Sequence, residues 1–182
     1  AALPFESQPT RKKIAEAEIQ RLEHHSDVCV QLSLERLARQ ARDRGKDWSM
    51  GSEWVEDLID GLVRTLLSMG LINLDLMDLR AIVQHKGGST MLVGTGHHEQ
   101  LDDLYNATIK APLAPMNVAG AKGCLLQIEG GLGMTIGQVD EVATALTSAV
   151  DSDAQVILGA RVSPDLEGTI RIVMLLSGIG ED

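Results

Sequence analysis

Hydrophobic residues between positions 53 and 69 recur every three or four residues, which is the pattern of one face of an α-helix. Ser52 is a suitable N-cap, and Gly70 stands where a residue in the left-handed conformation would end the helix. A helix of this length extends about 25 Å and crosses a small domain. The predicted inner face carries Trp54, Val55, Leu58, Ile59, Leu62, Val63 and Leu66.

The chain on either side of this central helix alternates between helical and strand-like segments. This alternation is typical of a sheet with helices packed on it. The predicted fold is α/β, with a long central helix followed by a four-stranded mixed sheet and its packed helices. We expect helices at 11–24, 33–42, 76–85, 101–110 and after Thr135, and strands at 28–32, 89–94, 121–129, 155–162 and 168–176.

Local signals refine several of these elements. Thr135 and Gln138 have the spacing of a capping box, and Met134 can pack on Val139 as a hydrophobic staple. The glycines of 94–96 predict a tight turn after a strand. Hydrophobic residues at helical spacing are Ile14 and Leu22 in the first helix, Leu34, Leu37 and Ala41 in the second, and Ile136, Val139, Val142, Ala143, Leu146 and Val150 in the last.

Composition limits the core and the partners. Of the 182 residues 44% are hydrophobic but only 2% aromatic, so aliphatic side chains and Met must build the core. The formal charge of −10 disfavours nucleic acid as a partner, because phosphate binding needs a basic surface. No hydrophobic run approaches the roughly 20 residues that span a bilayer. We therefore expect a cytoplasmic protein that does not insert into a membrane.

Cysteine and histidine spacing does not predict a metal site. Cys29 and Cys124 each stand alone in a hydrophobic segment, and we expect buried thiols in a reducing compartment. Histidine pairs occur at 24–25 and 97–98, but adjacent residues on a helix point about 100° apart. We expect these histidines to be surface residues.

Three polar residues stand among large hydrophobic ones just after the central helix: Asn73, Asp75 and Asp78. The residues alone leave two interpretations open. In one, Asp75 caps a helix that begins at Leu76, and the other two are ordinary polar positions. In the other, two carboxylates and an amide converge to hold a hydrated cation or to orient a water molecule for attack.

The segment 70–78 resembles the synergy loop of the FtsZ branch of the tubulin superfamily, which has the pattern Gly-Leu-Ile-Asn-x-Asp-x-x-Asp. Every position of that pattern is present. The resemblance covers essentially the whole chain, but only the second half of the family. Further motifs similar to those of the family stand at 94–96, 111–113, 120–123, 156–159, 164–165 and 170–180.

The resemblance implies three parts and an activity. Residues 1–50 would be a remnant of the nucleotide-binding domain, 51–70 the central helix, and 71–182 the C-terminal domain. The implied reaction is hydrolysis of GTP to GDP and phosphate, coupled to assembly of a head-to-tail filament in prokaryotic cell division. The implied partner is a second copy of the chain or another FtsZ-type subunit.

The resemblance also implies that the loop completes the GTPase site of the next subunit. Asp75 and Asp78 would position the attacking water, with Mg²⁺ beside the γ-phosphate, and Asn73 would orient the network around the phosphate. The two carboxylates should then be exposed and free of ion pairs with Arg or Lys. Their replacement by Ala should change folding stability little.

The nucleotide pocket of the family is matched only in part. Trp48 stands where the family places an aromatic residue against guanine, and Glu53 where it places an Asp that contacts the base. Gln8 and either Arg11 or Lys12 fall near its ribose contacts, whereas Leu34 replaces an Asn of the base site. The glycine-rich phosphate loop has no counterpart in these residues. We expect GTP or GDP and Mg²⁺ to be bound in the full assembly and not by this chain alone.

A second functional hypothesis stays open beside the activating half of a GTPase. The chain would then be a stand-alone, non-catalytic FtsZ-like protein that caps or regulates filaments through the face that carries the loop.

Overall fold

The computed structural model describes residues 1–43, 56, 59–61, 63, 64, 66, 67, 69–109 and 117–180. The described residues from 56 to 67 all have a helical backbone, in agreement with the predicted central helix. The predicted cap Ser52 and part of the predicted inner face, including Trp54, Leu58 and Leu62, lie outside the described residues.

The N-terminal segment forms a two-stranded sheet and two helices. Strand β1 (Ala2–Leu3) pairs in parallel with β2 (Leu32–Ser33), and α1 (Pro9–His25) connects them. Helix α2 (Leu34–Asp43) follows β2 directly. The prediction of a strand at 28–32 is wrong in its extent, since the observed strand β2 covers two residues. Its partner β1 is also two residues long, so the ladder between them is short.

Four strands form the main sheet in the order β3–β6–β4–β5. Strands β4 and β5 are parallel, and β6 runs antiparallel to both β3 and β4. This mixed sheet with packed helices confirms the predicted fold class. Its elements are α3 (Leu76–Val83), β3 (Gly88–His97), α4 (Leu101–Ile109), β4 (Gly123–Gly130), α5 (Ile136–Thr147), β5 (Gln155–Val162), a 3₁₀ turn (Pro164–Leu166) and β6 (Thr169–Ile179).

Both faces of the sheet carry a hydrophobic core, because alternate residues of a strand point to opposite sides. Leu126 and Ile128 of β4 belong to a core completed by α4 and α5. Leu125 belongs to a second core, which α2 and α3 complete through Leu37 and Ile82. Every residue of β4 is buried, including the polar Gln127 and the charged Glu129.

Gly94 and Gly96 lie inside β3 and not in the tight turn predicted for them. A Cβ at Gly94 would overlap Thr108 of α4, and one at Gly96 would lie 3.3 Å from Leu104. The absence of side chains therefore lets α4 approach the strand closely. The local sequence could not indicate this role, because the contact joins two separate elements.

Two predicted helix faces are wrong in part. Ile14 and Leu22 of α1 are exposed, whereas Ile19 is buried. Ile136, at the start of α5, is 59% exposed, although the later members of its predicted face are buried or half-buried. A helical period defines a stripe of residues, but the part of that stripe that is covered depends on which elements reach it.

The central helix contacts the sheet through a glycine. Gly61 is buried, and a Cβ at this position would lie 2.9 Å from Cγ2 of Val173. Ile59 and Val63 were predicted to face inward but are 57% and 45% exposed in this chain. The prediction was wrong for these two residues because the side of the helix that lies against β6 is the one that carries Gly61.

Candidate functional site

The acidic loop, residues 70–78, is attached to the outer edge of β5. Ile72 N–H donates to the carbonyl oxygen of Ala160 at an N···O distance of 3.0 Å, and Ala160 N–H donates back to Ile72 at 2.9 Å. Leu74 is 5% exposed and packs in the core beneath α2 and α3. These contacts hold the loop backbone in place beside the sheet.

Gly70 begins the loop, but it does not have the left-handed conformation expected of a helix C-cap. A Cβ at Gly70 would overlap the carbonyl oxygen of Ala160 and would lie 3.2 Å from both Cα and Cβ of Arg161. Glycine is required here because the loop passes directly over the backbone of β5.

Asp75 and Asp78 form a capping box at the start of α3. Asp75 Oδ1 accepts hydrogen bonds from the backbone N–H of Met77 at 2.6 Å and of Asp78 at 3.0 Å. In return, Asp78 Oδ2 accepts from Asp75 N–H at 2.9 Å. The interpretation of Asp75 as a helix cap is therefore confirmed.

Each of these carboxylates uses only one oxygen in the cap. Within the described part of the chain, no hydrogen bond reaches Asp75 Oδ2 or Asp78 Oδ1, and neither side chain is in an ion pair. Asp75 is exposed and Asp78 half-buried. The cap and a second role for the remaining oxygens are thus compatible.

Asn73 is exposed and closes the turn that begins the loop. Its Oδ1 accepts a hydrogen bond from the backbone N–H of Gly70 at 2.6 Å. Because the oxygen is engaged, the amide nitrogen of Asn73 is the part of the side chain that is left to donate to another molecule.

Four residues were predicted to contact the nucleotide base and ribose, and the structure describes two of them, Gln8 and Arg11. Gln8 is half-buried and precedes α1, and its side chain makes no capping hydrogen bond. Arg11 is exposed in the first turn of α1. Trp48 and Glu53 lie outside the described residues. The nucleotide roles of all four residues stay predictions.

One buried charged cluster was not predicted from the sequence. Glu129 of β4 is 1% exposed and accepts a hydrogen bond from Arg161 Nη2 of β5. Arg171 Nη1 of β6 lies 3.6 Å from the other carboxylate oxygen. The available signal was the presence of one charged residue inside each of three otherwise uncharged strands.

The thiols and imidazoles differ in their environments. Cys124 is buried, and burial raises the pKa of its thiol to about 12, whereas Cys29 is only half-buried. His97 is exposed and its Nδ1 lies 2.9 Å from the carbonyl oxygen of Gly168, and His98 is half-buried.

Among the described residues, no three His, Cys, Asp or Glu side chains are grouped to hold a metal ion. No described helix has the length and apolar character needed to cross a membrane.

Comparison with known proteins decides the family. A family model for the FtsZ family, C-terminal domain, matches residues 87–180, just over half of the chain. The chain belongs to the FtsZ family. This confirms the resemblance drawn from the loop motif, and the FtsZ relatives extend the similarity over nearly the whole chain.

Two FtsZ relatives and one FtsZ structure illustrate this similarity. Cell division protein FtsZ of Caulobacter vibrioides is 31% identical over 174 residues, which cover 93% of this chain and 34% of that protein. Cell division protein FtsZ 2 of Methanocaldococcus jannaschii is 27% identical and is covered to 48%. The structure titled "FtsZ dimer, empty" from M. jannaschii matches 98% of this chain with a TM-score of 0.85 and 26% identity. The chain spans about a third to a half of the length of these FtsZ proteins.

Proposed function

We propose that this chain is the activating half of an FtsZ-type GTPase of cell division, and that its acidic loop completes the GTP hydrolysis site of the adjacent subunit in a head-to-tail filament. The observation that carries the proposal is the pair Asp75 and Asp78, held side by side by the cap, with one oxygen of each carboxylate unbonded within the described residues. Family membership supports it, because the relatives are cell division proteins and one related structure is titled as an FtsZ dimer.

The carboxylates suit the orientation of a water molecule for attack on phosphorus. Each remaining oxygen accepts a hydrogen bond from water, and two such bonds fix the direction of the water lone pair. The Asn73 amide nitrogen is a donor suited to phosphate oxygens. Mg²⁺ beside the γ-phosphate would neutralise charge that develops during transfer.

The proposal assigns nucleotide binding to the assembly and not to this chain alone. GTP and Mg²⁺ would be held mainly by residues of the neighbouring subunit, because the loop resembles one that inserts into the nucleotide pocket of the next subunit. That subunit would be a second copy of the natural protein or another FtsZ-type subunit. Hydrolysis would then require assembly, since neither partner holds a complete site.

The first test separates the carboxylate from the cap. Asp75→Asn removes the charge but keeps a side chain that caps helices as well as Asp does. In the natural protein we expect GTP turnover in filaments to fall about a hundredfold or more, with GTP affinity unchanged. Normal turnover by Asp75→Asn combined with Asp78→Asn would contradict the proposal and leave the loop with a structural role as a helix cap.

A mixing experiment tests whether the loop acts on the neighbour. Subunits that carry Asp75→Asn and Asp78→Asn but bind GTP are mixed with subunits that cannot bind GTP but keep both carboxylates. We expect turnover to recover in shared filaments, because each subunit supplies what the other lacks. No recovery in filaments that contain both subunits would place the action of the loop within its own chain.

A further inference from the structure

The acidic loop rests on the last part of β5 through three alternate residues. Gly70 lies against the backbone of Arg161, and Ile72 exchanges two hydrogen bonds with Ala160. Leu74 lies over Gly159, where an added Cβ would be 2.6 Å from Cδ1 of Leu74. The position of the loop therefore depends on the position of residues 159–161.

Strand β5 is an edge strand of the main sheet and pairs with β4 on its inner side. On its outer side, the described bridge is the one between Ile72 and Ala160. An edge strand has fewer ladder partners than a central one, so its end depends more on side-chain contacts. The last residues of β5 are where such a contact is found.

Glu129 supplies this contact from β4. It stands opposite Arg161 of β5 and opposite Arg171 of β6 in the register of the sheet. The side chains of Glu129 and Arg161 are 2% and 12% exposed, so solvent screens their attraction little. The two side chains join β4 to β5 at the residue that follows Ala160.

We propose that Glu129, acting through Arg161, is a positioning residue that holds the end of β5 and with it the acidic loop. Neither residue belongs to the acidic loop. The consequence for catalysis rests on the proposed function, whereas the consequence for the loop does not. Glu129, which pairs with Arg161 and lies near Arg171, therefore supports the site through the sheet.

The structural test measures amide hydrogen exchange. Glu129→Gln removes the charge of the carboxylate, and the double variant Glu129→Gln/Arg161→Met leaves no buried arginine opposite it. In both variants we expect the amides of Ile72 and Ala160 to exchange about tenfold faster or more. The amide of Leu126, in the middle of β4, should keep its protection, because the effect is local.

The matched control breaks an ion pair at the other end of the same two strands. Lys122 Nζ lies 2.8 Å from Asp151 Oδ2, next to the first paired residues of β4 and β5. Asp151→Asn should change exchange at Ile72 and Ala160 by less than about twofold. Unchanged protection of Ile72 in the double variant would overturn the proposal, and so would an equal increase at Leu126.

The functional test uses turnover by the natural protein in filaments. Arg161→Met should lower kcat about tenfold with KM for GTP unchanged, because a displaced loop misplaces water and not nucleotide. Arg161→Lys, which keeps the charge opposite Glu129, should restore part of kcat. If turnover were normal in both Arg161→Met and Asp75→Asn, the proposed function would be refuted. The positioning role would still stand if the amide of Ile72 exchanged faster in the Glu129→Gln variants. A normal kcat for Arg161→Met, with Asp75→Asn impaired, would refute the link to catalysis.

Discussion

Asp75 would use different oxygen atoms for the helix cap and for its proposed contact with water. Oδ1 accepts two backbone N–H groups and thereby defines the start of α3. The proposed contact with water falls to Oδ2. Asp78 repeats the arrangement, because its Oδ2 is bound to the N–H of Asp75. Because the cap fixes both side chains, it would also preorganise them for the proposed orientation of water.

The cap changes the expected effect of Asp75→Ala on stability. The sequence suggested a neutral surface substitution, but loss of an N-cap side chain costs about 1 kcal/mol in the free energy of unfolding. Asp75→Asn should leave this free energy nearly unchanged, because Asn caps as well as Asp does. Urea denaturation measures both variants. Equal stability of the Ala variant and the unmodified chain would contradict the capping geometry.

The reactivity of Cys124 should follow its buried environment. Burial raises the pKa of this thiol to about 12, so almost none of it is thiolate at neutral or mildly alkaline pH. We expect iodoacetamide to modify Cys124 in the native chain far more slowly than the half-buried Cys29. Mass spectrometry of digested samples gives both rates. Denaturant serves as the control, since both thiols should then react alike.

Three glycines mark the places where other elements cross the sheet. Gly61 brings the central helix onto Val173, and Gly94 brings Thr108 of α4 onto β3. Gly159 makes room for Leu74 of the acidic loop. In each case the absence of a side chain allows two elements to approach closely. These glycines therefore help to position the acidic loop as well as the two helices.

Gly94→Ala tests the close contact between β3 and α4. The added methyl group would overlap Thr108, and we expect the free energy of unfolding to fall by about 1–3 kcal/mol. Gly133→Ala is the matched control, because no heavy atom lies within 4 Å of the added Cβ and the backbone φ of Gly133 is not positive. Thermal denaturation compares the two. Equal losses in both variants would mean that the contact with α4 does not determine the effect.

The molecule has a buried core, but several of its large hydrophobic side chains are exposed. The main sheet is covered on both faces, yet Ile59 and Val63 of the central helix and Met69 beside the loop are exposed. The chain also spans only about a third to a half of the length of its FtsZ relatives. Under the proposed function, the activity would depend on further protein.

Nucleotide binding should accordingly be weak in residues 1–182 alone. We expect no saturable binding of GTP below high micromolar concentrations, because the family's glycine-rich phosphate loop, whose backbone amides hold the phosphates, has no counterpart in these residues. Isothermal titration calorimetry measures this with and without Mg²⁺. Tight, saturable binding of GTP to these residues would contradict the proposal that the neighbouring subunit holds most of the nucleotide.

The elements and the loop motif could be predicted from the sequence because their causes are local. The capping box at Thr135 and Gln138 joins residues three apart, and it was confirmed with a hydrogen bond of 3.2 Å from Gln138 N–H to the Thr135 hydroxyl. The order of helices and strands follows from periods of a few residues. The pattern in 70–78 indicated the family because it, too, lies within a short stretch of the sequence.

Tertiary contacts decided which residues pack and what the loop rests on. The burial of Ile19 in place of Ile14, the position of Gly94 inside β3 and the close approach at Gly70 each depend on residues far away in the sequence. The pairing of Glu129 with Arg161 depends on the register of two strands that are separated by α5. The sequence by itself therefore determined the elements, the acidic loop and the family. Only the folded sheet decided how that loop is held, because the contacts that hold it exist only once β5 lies beside β4.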